Sequence, residues 1–222
     1  FNPKDKVLGM PKVNGELANR VTFDFIDEVS RDSPAPGGGS VAALSGALGA
    51  ALGTMVANLS TSKAGFENQK DKLDKIASKG QAVKDVLIKA IDDDTSAFDQ
   101  VIKAMRMPKD TDADKKSRET AMQEGYQIAT QVPLETVKHC RDALHICSEI
   151  SKLMDDGMAS DVGSGALMAN AGAKAAAYNV RINLKSIKNK KFCEDTGKEL
   201  EKLIDECSLL TESITQNVDK TL

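Results

Sequence analysis

A chain of 222 residues with 41% hydrophobic and 28% charged content can bury one substantial core and is too apolar to be disordered. Its net charge of -3 excludes the strongly basic character typical of phosphate-backbone binders, so no nucleic-acid partner is expected. The chain has no tryptophan, six prolines and only 4% aromatics. With no long period-two alternation either, it reads as helical throughout.

Residues 1–16 read as an arm or linker and 17–222 as one helical domain. Leu17, Val21, Phe25 and Val29 recur every four residues and predict a helix over 17–31. Two prolines and Gly37, Gly38 and Gly39 then lead into a helix of about 38–60 that carries no charge from Gly37 to Ser62. Its Gly46, Gly49, Ala50, Gly53 and Ala57 form a smooth stripe where another backbone can approach closely. The segment is long enough to cross a membrane but only weakly apolar, and no aromatic or basic belt flanks it. It is read as a buried contact helix, with no membrane partner.

A long amphipathic run follows over 66–106, ending before Met107-Pro108. Next come 112–132 and 133–155, where Pro133 either kinks one helix or starts another. Asp155-Asp156-Gly157 breaks the chain, 161–188 is a second smooth helix rich in Gly and Ala, and 192–220 is the last. Short connections imply antiparallel neighbours. The expected fold is all-α, an antiparallel up-and-down bundle of five to six long helices with Gly/Ala-rich packing helices.

Several residues could carry chemistry. Val83, Leu87, Ile91, Asp94, Phe98, Val101 and Met105 follow heptad-like steps, which puts one carboxyl on an apolar seam. Desolvation there raises a carboxyl pKa and suits a general acid; the alternative is a structural carboxylate satisfied by a neighbouring helix end. Asn179 and Asn183 share a face and could pair with a heterocycle or bond between helices. Ser160 and Asp161 read either as an N-cap or as a polar pocket contact. Lys185, Lys188, Lys190 and Lys191 crowd a helix C-terminus, as a solvated cap or as a seat for an acidic tail. Cys140, Cys147, Cys193 and Cys207 read as buried free thiols of a reducing cytoplasm. His139 and His145, six apart, make a poor metal pair, and no metal site is expected. The glycine run lacks a P-loop lysine and no strand precedes it, so it is not a nucleotide loop.

Three blocks in register, PAPGGGSVAALSGALGAALGTMVANL, IDDDTSAFDQVIKAMRMPK and SDVGSGALMANAGAKAAAYNVRINL, resemble one family over about residues 18–215. It is the cyclodeaminase domain of formimidoyltransferase-cyclodeaminases and its stand-alone relatives, some described as methenyltetrahydrofolate cyclohydrolases. The resemblance implies an antiparallel helical bundle that forms a homodimer or higher homo-oligomer, with the folate site near the subunit interface. It implies conversion of 5-formiminotetrahydrofolate to 5,10-methenyltetrahydrofolate and ammonia, with no tightly bound cofactor and a reduced folate, polyglutamylated or not, as substrate. Asp94 matches the family's proton donor. Gly37, Gly38, Gly39 and Ser40 match its glycine loop, and Ser160, Asp161, Asn179 and Asn183 its other polar positions. An acidic folate tail would give Lys185 and its neighbours a purpose. Asp93 is an extra acid expected to raise the pKa of Asp94 further. The opening FNPKDKVLG resembles the join after a formimidoyltransferase domain, so such a domain or partner is also expected. The competing readings are a cyclohydrolase using the same pocket and a non-catalytic dimerisation module.

Overall fold

The computed structural model describes residues 22–222, so the proposed arm and the start of the first helix, with Leu17 and Val21, lie outside the described residues. Six helices follow one another: α1 (Thr22–Val29), α2 (Gly38–Thr61), α3 (Lys70–Met105), α4 (Asp112–Ile150), α5 (Ala159–Leu184) and α6 (Lys190–Thr221). Five are long and α1 has only two turns. It is pinned by Phe25, which packs on Ala43, Ala90 and Ile91.

The small-residue helices are the centre of the bundle because they let backbones touch. A Cβ on Gly49 would stand 2.6 Å from the Gly165 carbonyl oxygen, and one on Gly172 2.7 Å from that of Ala42. Numbers along α2 therefore rise as those along α5 fall, which makes the two antiparallel. α2 packs against α3 in the same sense, with Gly46 against Leu87. α4 closes the bundle behind α2 and α5, where the Cys140 and Cys147 thiols fill the space left by Gly46 and Gly53. Burial pushes the Cys147 thiol up to about 12, so it is inert filling. Cys140 and Cys207 are likewise buried free thiols, whereas Cys193 is only half-buried. α2 alone among the described helices is long and apolar enough to cross a membrane, and two-thirds of its most apolar window is buried in the bundle.

Several boundaries differ from the sequence reading. α3 starts at Lys70 behind a 3-10 turn, Glu67–Gln69. α4 ends at Ile150, ahead of a 3-10 turn, Asp156–Met158, whose Asp155 side chain accepts from the Gly157 N–H. α5 therefore starts at Ala159 with Met158 as its N-cap, so Ser160 and Asp161 sit inside the first turn rather than capping it.

Pro133 starts no new helix: α4 runs through it unbroken. Proline lacks the N–H that would bond the carbonyl four residues back, here that of Ala129. The Asn183 amide donates to that same carbonyl at 2.7 Å. One side chain of α5 thus satisfies the acceptor that Pro133 orphans, and the helix continues. Removing the amide in Asn183→Ala should cost about 1–3 kcal/mol of stability. In a Pro133→Ala background the helix supplies its own donor, so the same replacement should cost well under half as much. Equal losses in the two backgrounds, read by denaturant unfolding, would refute the pairing.

Candidate functional site

The site is built where α2 begins. Gly37 is the N-cap of α2 with an extended backbone, and Gly38, Gly39 and Ser40 form the first turn, whose N–H groups have no partner within the helix. α3 passes directly in front of them. Any Cβ on Gly39 would overlap the Asp94 carboxyl, so glycine is required for this approach. The Ser40 backbone N–H bonds the carboxyl, and the Ser40 hydroxyl lies 3.4 Å from Oδ2. That hydroxyl donates chiefly to the Ile91 carbonyl, at 2.8 Å, and also lies 3.5 Å from Thr95 Oγ1.

Two effects therefore compete at Asp94. Burial disfavours its anion and raises the pKa above the ordinary carboxylate value, while the Ser40 bonds and the helix N-terminus favour the anion. Burial dominates, so the group is held nearer neutrality than a surface aspartate. Asp93 has no part in this, because its carboxylate is taken by Lys89 at 2.6 Å. The expected large-residue seam is corrected at two positions. Phe98 and Met105 are 37% and 41% exposed, with Ala97 and Ala104 buried in their place, while Leu87, Ile91 and Val101 of the seam are buried. The glycine turn packs directly on the Asp94 carboxyl, and Ile91, one turn earlier on α3, is buried.

α5 brings Asn179 to the same place. Its Nδ2 lies 3.4 Å from where a Gly38 Cβ would stand, and donates to the Ala175 carbonyl at 3.0 Å. Gly38, Gly39, Ser40, Asp94 and Asn179 thus meet around the mouth of α2, with Gly37 at its edge. Ser40 is fully buried, so it holds Asp94 rather than lining an open pocket. Asn183 is occupied on Ala129, one turn beyond. Lys185 is exposed at the C-cap of α5. Ser160 and Asp161 lie at the opposite end of α5, roughly 28 Å from Asn179 by helical rise, and one chain does not bring them to Asp94. Of the histidines, His145 faces Glu206 at 3.0 Å and His139 faces Asp142 at 3.6 Å, each with its own carboxylate.

A helical bundle that sets one desolvated carboxyl against an open helix N-terminus, beside an amide, defines a protein that can protonate a ligand held there. The family described as formiminotransferase-cyclodeaminase matches residues 22–202, and the chain belongs to that family. Its members are enzymes of folate one-carbon metabolism. A methenyltetrahydrofolate cyclohydrolase of Methylorubrum extorquens is 36% identical over 200 residues, covering 90% of this chain and 96% of that protein. The formimidoyltransferase-cyclodeaminase of Gallus gallus is 33% identical over 93% of this chain, which spans only 39% of that longer protein. The crystal structure of a formiminotetrahydrofolate cyclodeaminase from Thermotoga maritima superposes with a TM-score of 0.84 at 25% identity, covering 92% of this chain and 98% of that one.

Proposed function

We propose that this chain is a formimidoyltetrahydrofolate cyclodeaminase with Asp94 as its proton donor. The observation that carries this reading is the Asp94 carboxyl set against the first turn of α2, where Asn179 also reaches Gly38. In 5-formiminotetrahydrofolate the attacking nitrogen is tethered to its target, so the site supplies orientation and a proton. N10 attacks the formimino carbon, a C–N bond forms, and the N10 proton passes to the former imine nitrogen to give an amine. Asp94 then protonates that amine, the exocyclic C–N bond breaks, ammonia leaves and the 5,10-methenyl cation is formed. The carboxylate left behind is received by the Ser40 N–H and the first turn of α2. The Asn179 Oδ1 remains available as an acceptor for the pterin's ring N–H groups.

A second reading, methenyltetrahydrofolate cyclohydrolase, is favoured by the Methylorubrum extorquens relative, which this chain matches over nearly its whole length. Hydrolysis must also activate a water, whereas cyclisation brings its own nucleophile. Incubation with 5-formiminotetrahydrofolate, with ammonia and the methenyl chromophore followed together, separates the two. Equimolar appearance of both supports the first reading. Decay of added methenyltetrahydrofolate without any ammonia release supports the second.

We also propose a homodimer formed through α2 and α5. Their outer faces carry Val41, Leu48, Met55, Leu167, Tyr178 and Ile182, all exposed. Two-fold pairing about the middle of α5 would lay the Ser160 end of one copy over the Asn179 end of the other. That arrangement would return Ser160 and Asp161 to the pocket. Sedimentation velocity should give twice the chain mass, falling to one chain mass in Leu167→Glu; a monomeric wild type would contradict the proposal.

A further inference from the structure

Beyond the Asp94 turn, a groove of about 450 Å3 opens between α4 and the turn that follows α5, lined by Arg118, Glu119, Met122, Tyr126, Ser186 and Lys188 among others. Its lining shares no residue with the candidate site, from which it is displaced along α3. Tyr126 packs on the cluster of Ala97, Val101 and Ala129, and Val101 lies seven residues, roughly 10 Å, past Asp94 on α3. Arg118 is eight residues, roughly 12 Å, further along α4 from Tyr126. The groove is closed by the Gln123 amide, which donates to the Ser186 carbonyl at 3.0 Å while its oxygen accepts from the Lys188 N–H at 2.8 Å.

Its cations are not equivalent. The Lys188 ammonium is paired with Glu119, and Lys115 with Asp112 at 2.9 Å. The Arg118 Nε donates to the Met105 carbonyl at 3.2 Å, which fixes the guanidinium at the end of α3. Among the described residues no carboxylate takes its terminal nitrogens. A guanidinium anchored by one nitrogen, with its fork open over a groove, is suited to two-point binding of a carboxylate.

We infer that this groove seats the acidic end of the ligand, with Arg118 receiving a glutamyl carboxylate while the ring lies at Asp94. The inference rests on the folate reading above and adds a residue that sets ligand specificity. Glu119 opposes it, holding Lys188 and adding negative charge at the groove wall.

The test is anaerobic calorimetry of three probes: 6-methyltetrahydropterin, which has no tail, tetrahydrofolate with one glutamate, and its triglutamyl form. Arg118→Met should weaken both glutamyl ligands about tenfold and leave the pterin affinity unchanged. Glu119→Gln should tighten the glutamyl ligands severalfold, the opposite direction from a general loss of structure. Wild-type-like affinities for the glutamyl ligands in Arg118→Met, or equal losses for all three probes, would overturn the inference while the folate reading stands. A wild-type chain that binds none of the three would overturn both.

Discussion

Asp94→Asn should lower turnover of the folate substrate by about a thousandfold while leaving ligand affinity within a few fold. An amide fills the same space and can still accept from the Ser40 N–H, but it has no proton to give. The same replacement should raise stability at neutral pH, which separates a lost acid from a damaged fold. The folded Asp94 pKa lies above the unfolded value of about 3.9. Between those two values the unfolded chain binds fewer protons than the folded one, so unfolding free energy falls as pH rises through the interval. Asp94→Asn abolishes that loss. Its melting temperature should exceed wild type at pH 7 and converge with it towards pH 3. Wild-type activity should decline on the alkaline side as Asp94 ionises. A variant that keeps a tenth of wild-type turnover would remove Asp94 from the donor role.

Gly39→Ala should cost nearly as much activity, about a hundredfold or more, without replacing any titrating group. The added methyl would occupy the space of the Asp94 carboxyl, so α3 must retreat from α2 or the acid must rotate away. Neighbouring positions supply the control. A Cβ on Gly38 comes only to 3.4 Å from the Asn179 amide, and one on Gly37 to 3.6 Å from the Pro34 carbonyl oxygen. Activity should therefore fall steeply from Gly37→Ala through Gly38→Ala to Gly39→Ala. Helix propensity runs the other way, since alanine is favoured by about 1 kcal/mol inside a helix. Equal effects at all three glycines, read as initial rates on purified protein, would show that the loop tolerates bulk and does not press on Asp94.

Much of this arrangement is legible in the residues, though not always for the reason the pattern suggests. The smooth helices announce themselves, because only a backbone contact explains so many glycines and alanines at helical spacing, and Gly46, Gly49 and Gly53 all meet neighbours closely. Asp94 is singled out by a heptad-like stripe, yet that stripe fails at Phe98 and Met105. On α3 the small residues Ala97 and Ala104 are inside instead, and the Gly125 backbone lies against Val101. Periodicity counts bulk, whereas this bundle packs by the lack of it. The link between Pro133 and Asn183 is not legible, because a carbonyl on one helix and an amide 54 residues later meet only after both helices pack. Arg118 is equally silent: one basic residue in a charged helical turn looks like solvated surface until the groove beside it is formed. Ser160 and Asp161 show the opposite limit. Family resemblance places them with the pocket residues, while helical rise alone separates them from Asn179 within a chain.

The chain carries four carboxylates among residues 92–99, and Asp94 is the one set against the first turn of α2. The proposed proton transfer therefore depends on the state of a single group. A carbon-13 NMR titration of aspartate-labelled protein, with the Asp94 signal assigned by its disappearance in Asp94→Asn, observes that group directly. A midpoint above the ordinary carboxylate value is the predicted result. A midpoint at or below about 3.9 would mean that Asp94 is ionised when it should be donating, and would contradict the account.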